Sequence, residues 1–159
     1  MTRLNKLIAL ATVALVGLGS ITESQALTAT TTFGVSAVVS SGCAVTALPL
    51  AFGAYDGTVN NASTTVTVLC TLGTAYNVGL NAGGGTGASV ATRKLTSGAN
   101  TLDYTLYTDS GRTTVWGNTV GTNTVSGTYA LAQAPLTVYG RITASQSVPA
   151  GTYNDTIPL

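Results

Sequence analysis

The chain has no histidine, one glutamate and one methionine, and charged residues make up only 7% of its 159 positions. Each shortage excludes something. Without histidine a Ser–His catalytic pair cannot be built, and the commonest nitrogen ligand for zinc is missing. The scarcity of Glu, Lys, Arg and Gln removes the residues that build exposed helix faces. A formal charge of +1 leaves no basic footprint for nucleic acid or an anionic membrane. What is abundant is threonine, thirty residues of it, with 19 glycines and seven tyrosines, a composition of strands and turns. The length suits one domain with a sizeable core. Together these features point to an all-β, exported protein that is not an enzyme and needs no cofactor.

The first segment reads as an address. Arg3 and Lys6 precede an apolar run from Leu7 to Gly19, and Ser24-Gln25-Ala26 supplies small residues at the positions a signal peptidase requires. Cleavage is expected between Ala26 and Leu27, giving a signal peptide over 1–26 and a mature domain over 27–159. The apolar run of about 13 residues is shorter than the roughly 20 that span a bilayer, so an uncleaved anchor is the weaker alternative. No later segment is apolar enough to span. Loss of Arg3, Lys6 and Glu23 turns six basic groups into four and five acidic groups into four, so the mature chain is neutral. A neutral, threonine-rich surface lacks the like-charge repulsion that keeps monomers apart.

Cys43 and Cys70 are the only cysteines. An even count in an exported chain reads as a disulfide. The bridge would close a loop of about 28 residues, worth roughly 3–4 kcal/mol on the loop-entropy account. A metal or redox pair is disfavoured by the missing histidine and the absence of C-x-x-C spacing.

Hydrophobic periodicity is two almost throughout. Val66, Val68 and Cys70 alternate with Thr65, Thr67 and Leu69. Tyr76, Val78 and Leu80 share a face, as do Leu102, Tyr104 and Leu106, and then Leu136, Val138 and Ile142. Between them lie turn signals at Asp56-Gly57, Gly83-Gly84-Gly85, Ser97-Gly98, Asp109-Ser110-Gly111, Gly117-Asn118 and Pro149-Ala150-Gly151. Short strands at this spacing predict an antiparallel sandwich.

Ahead of the first cysteine, Ala29, Thr31, Phe33, Val35, Ala37 and Val39 alternate with Thr30, Thr32, Gly34, Ser36 and Val38. This is the pattern of a strand with one apolar face. It fits either the first strand of the domain's own sheet or a mobile extension that completes a neighbouring subunit by β-strand addition.

An ordered set of segments resembles a known family. Phe33-Gly34-Val35-Ser36-Ala37-Val38-Val39 leads into Cys43-Ala44-Val45, then Leu50-Ala51-Phe52-Gly53-Ala54-Tyr55 and Val68-Leu69-Cys70-Thr71-Leu72-Gly73-Thr74-Ala75-Tyr76. Leu102-Asp103-Tyr104-Thr105-Leu106-Tyr107, Val115-Trp116-Gly117, Val138-Tyr139-Gly140-Arg141 and Ala150-Gly151-Thr152-Tyr153-Asn154-Asp155-Thr156 follow. In this order they resemble the spore coat protein U domain, also the subunit domain of archaic chaperone–usher pili. The likeness covers about Thr31 to Thr156. It implies an immunoglobulin-like β-sandwich lacking its last strand, with an apolar groove in its place. The expected partners are a periplasmic chaperone, an outer-membrane usher, and identical or related subunits. Residues 27–39 would donate the strand, with the alternate residues from Ala29 to Val39 facing inward. Such an insertion would bury roughly 300–400 Å² of apolar surface, of order 8–10 kcal/mol before entropy. Head-to-tail contacts of this kind do not close and make filaments. In one respect the sequence departs from the family pattern. Past Asp155-Thr156 several alternating Val and Thr residues and a terminal aromatic are expected, where Ile157-Pro158-Leu159 stands, and Pro158 withdraws a donor from the groove border.

Other features have plainer explanations. Asp103, Asp109 and Asp155 could pair for glycoside hydrolysis, but Asp109 reads as a turn former and Asp103 as solvent-facing. Gly83-Gly84-Gly85-Thr86-Gly87 lacks the Lys-Ser/Thr ending of a phosphate loop and reads as a flexible hairpin tip. Arg141 is expected to pair with an Asp on the outer face. The reading is a structural subunit of a secreted surface fibre serving adhesion or biofilm, first periplasmic and then on the cell surface. The alternative is a monomeric or loosely associated coat protein whose N-terminal strand pairs within its own domain.

Overall fold

A computed structural model describes residues 28–159, so the expected leader at 1–26 lies outside the described residues. Among those residues there are seven strands and no helix. They are β1 (Cys43–Ala47), β2 (Asn60–Cys70), β3 (Ala75–Val78), β4 (Arg93–Ser97), β5 (Asn100–Tyr107), β6 (Val125–Thr128) and β7 (Leu136–Ile142). Five form a sheet in the order β1-β2-β7-β5-β4, and β3 pairs with β6 in a second. Every pairing is antiparallel. The sandwich belongs to the compact unit Val38–Leu159.

The core is the set of inward faces that alternation assigns. Val66, Val68 and Cys70 from β2, Leu102, Tyr104 and Leu106 from β5, and Val138 and Ile142 from β7 are buried together with Val78, Leu80 and Trp116. Their neighbours Thr67 and Leu69 are exposed, and Leu69 is 62% accessible, as expected for a sheet with one solvated face. The inward row on β7 is interrupted by Gly140. A Cβ there would sit 2.7 Å from Cζ of Phe52 and 3.1 Å from Cδ1 of Leu50, so the ring of Phe52 fills the gap that the glycine leaves. Phe52 then meets Tyr104 edge-on, with ring centroids 5.8 Å apart.

Cys43 and Cys70 form a disulfide at one end of the β1–β2 ladder, where they are register partners. The expected strand over 29–39 has a different outcome. Residues 28–42 carry no secondary structure, and the first strand begins at Cys43. Phe33, Val35 and Val39 are 86%, 84% and 82% exposed. An apolar-faced strand gains stability only by pairing and burial, and neither is present for this segment.

Candidate functional site

An apolar cleft of about 340 Å³ opens along one border of the sandwich. Its floor is Val66, Leu80, Tyr104, Leu106 and Val138, all buried core residues. One wall is the continuation of β1, Ala47 to Leu50 with Phe52; the other is the C-terminal segment at Asp155, Thr156, Ile157 and Leu159. The rim is greasy: Leu48 is 65% and Leu159 47% exposed.

Backbone directions explain why this border is open. In an extended chain, alternate residues point their N–H and C=O groups to opposite sides. Leu48 N donates to Thr65 O at 3.0 Å, and Thr71 N donates to Gly42 O at 2.9 Å, so the even-numbered residues of this run face β2. Val45, Ala47 and Pro49 therefore point away, to a side where β1 has no neighbouring strand. On the opposite wall Asn154 exchanges two hydrogen bonds with Thr96 (2.8 and 3.0 Å), and Asn81 N donates to Pro158 O at 3.0 Å. Asn154 and Pro158 thus face their own fold, and Asp155, Ile157 and Leu159 face the other way. This corrects the expectation for Pro158. Its missing N–H lies on the side of Asn81, and the outward ladder loses no donor there.

A polar anchor holds the C-terminal wall. Tyr104 Oη donates to Asp155 Oδ2 at 2.7 Å, and Gly84 N donates to Asp155 Oδ1 at 2.8 Å. Burial first, then the bond to Asp155, pushes the Tyr104 hydroxyl well above the usual tyrosine range. The glycine run is not a free hairpin tip. Gly83, at φ +88°, leaves no room for a Cβ against the Asp155 carboxylate, so the loop is packed onto the wall. Beneath it lies Arg93, a fully buried arginine. Its guanidinium donates to the carbonyls of Asn81, Val90, Leu80 and Trp116 at 2.7–2.8 Å. Desolvation lowers its pKa from the ordinary value. Trp116 Nε1 in turn donates to Val78 O at 2.9 Å.

The three carboxylates considered for catalysis stand apart in function. Asp109 accepts from the amides of Thr113 and Thr114, Asp103 pairs with Lys94 at 2.8 Å, and Asp155 holds the wall. Arg141 meets no aspartate. It bonds Asn61 Oδ1 at 3.2 Å and lies over the Tyr107 ring. The expected donor positions Ala29, Thr31, Phe33, Val35, Ala37 and Val39 are all exposed. Sequence reasoning did not place Arg93 and missed the anchoring role of Asp155; the glycines facing Asp155 were the available signal.

The family pattern of the Spore Coat Protein U domain matches residues 29–159. Protein U of Myxococcus xanthus is 34% identical over 165 residues, covering 92% of this chain and 92% of its own.

Proposed function

The chain belongs to the Spore Coat Protein U domain family, and from that premise we propose that it is a non-catalytic, pilus-type subunit of a cell-surface structure, joined to its neighbours by strand donation. The fold is read as an immunoglobulin-like sandwich lacking its last strand. Residues 1–26 direct export, a periplasmic chaperone occupies the cleft first, and at an outer-membrane usher the segment 27–39 of the next subunit replaces it. The resulting fibre serves attachment or biofilm.

One observation carries this reading: an apolar cleft flanked on both sides by backbone groups with no strand to pair with. An open edge beside exposed apolar surface is a template for association. The segment with the matching alternation is Ala29, Thr31, Phe33, Val35, Ala37 and Val39. Its root supports donation to another molecule rather than to the same one. Thr71 N bonds Gly42 O, and Thr71 Oγ1 bonds Ser40 O at 3.2 Å, so the chain continues the line of β1 past its end. Turning back toward its own cleft would give up the Ser40 contact.

Deleting Leu27 to Val39 tests the proposal. The exported wild-type protein is expected to form ladders stable in mild detergent, and the deletion to abolish them while leaving a folded domain. An unfolded monomer after deletion would support the self-paired coat protein instead.

A further inference from the structure

The strand-donating segment emerges beside a pair of exposed leucines. Gly73 N bonds Tyr129 O at 3.0 Å and Tyr129 N bonds Thr74 O at 2.9 Å, extending the β3–β6 ladder in which Ala75 opposes Thr128. Gly73 and Thr74 thus both oppose Tyr129, a bulge that ends the ladder register, and Leu72 and Leu131 stand in the turns just beyond it. They are 63% and 76% exposed. The residue before Leu72 is Thr71, which holds Ser40 and Gly42. Val38, 92% exposed, follows this apolar theme. In the alternating segment Thr30, Thr32, Gly34, Ser36 and Val38 form the outward face, and only the member nearest the root is a large apolar residue.

We propose that Val38, Leu72 and Leu131 form a collar that abuts the cleft rim of the next copy of this chain, a second subunit–subunit contact beside the inserted strand. The inference rests on strand donation. If Val39 of one subunit is seated in the cleft of another, only Ser40, Ser41 and Gly42 separate the two bodies. Three residues span at most about 11 Å, and here two of them are already bound to Thr71. The receiving subunit must therefore meet the surface around Thr71. That surface exposes Val38 and Leu72, and the rim it meets exposes Leu48 and Leu159. The collar would shield the root of the strand from water and limit the swing of one subunit on the next.

The test uses the full chain carrying Leu72→Asp with Leu131→Asp, and a milder pair, Leu72→Thr with Leu131→Thr. Both sites are exposed, so monomers of each pair are expected to melt as wild type does. Ladders of the aspartate pair should dissociate in detergent on the order of ten- to a hundred-fold faster than wild type, with the threonine pair between. Should the aspartate pair fail to fold, the threonine pair alone decides. Dissociation at the wild-type rate in the folded variants overturns the collar and leaves strand donation standing. A wild-type chain that forms no ladders overturns strand donation, and the collar with it.

Discussion

Around Trp116 the charged and indole donors are bonded: Arg93 reaches four carbonyls and the indole N–H a fifth, while Thr124 Oγ1 stays unpaired. Along the cleft the reverse holds, where β1 has one neighbour instead of two and the C-terminal wall has one ladder side. Both regions rest on the same core, since Leu80, Leu106 and Val138 line the cleft floor and pack with Trp116. The contrast shows that the chain has no general shortage of core. At the border between β1 and the C-terminal segment, that core lies open.

Breaking the closed region should have the largest effect. Trp116→Ala is expected to cost about 3–5 kcal/mol, and Arg93→Met, which strips donors from four carbonyls, at least about 3 kcal/mol. Denaturant unfolding checks both, and a loss below about 1 kcal/mol would mean that this region is not the rigid half. Next comes the bridge that fastens β1, the cleft-side strand, to β2. Cys43→Ala with Cys70→Ala should lower stability by roughly 3–4 kcal/mol on the loop-entropy account; an intact native protein should gain two daltons, about one per sulfur, on reduction. Smaller again, Tyr104→Phe releases the Asp155 anchor and should cost about 1–2 kcal/mol. Faster amide exchange confined to Asp155–Leu159 would sharpen the comparison, and uniform loosening of the whole domain would break it.

The smallest effect is acid sensitivity in the turns. Hydrogen bonds from Thr58, the hydroxyl first and then the amide, hold the Asp56 carboxyl below its usual range. The amides of Thr114 and then Thr113 do the same for Asp109. A depressed folded-state pKa stabilises above the unfolded value, roughly 4, and that contribution fades as pH falls through the depressed values. Both groups are solvent-exposed, so a shallow loss below about pH 4 is expected, flattened by Asp109→Asn. A transition between pH 5 and 8 would implicate some other group.

Where three apolar residues share one face of a strand, the fold was legible in advance. β2, β5 and β7 follow from Val66-Val68-Cys70, Leu102-Tyr104-Leu106 and Leu136-Val138-Ile142. β4 escaped because it opens with Arg93, a charge whose burial depends on carbonyls from three other segments. β6 escaped because Gly127 breaks its pattern; a Cβ there would meet Tyr76 Oη at 2.7 Å, a packing fact from a distant strand. The cleft's floor residues were readable as core, while its walls were not. Which side Pro158 turns its backbone to depends on Asn81, a tertiary partner that periodicity does not report.

Strand donation is tested most directly by a mixed cross-link. One preparation carries Val35→Cys and the other Leu48→Cys, and the two are assembled together and oxidised. Donation between molecules predicts a bond joining one chain of each kind, with the Cys43–Cys70 bridge intact. If a chain carrying both substitutions instead closes on itself quantitatively and stays monomeric, the cleft is filled from within and the fibre role is contradicted.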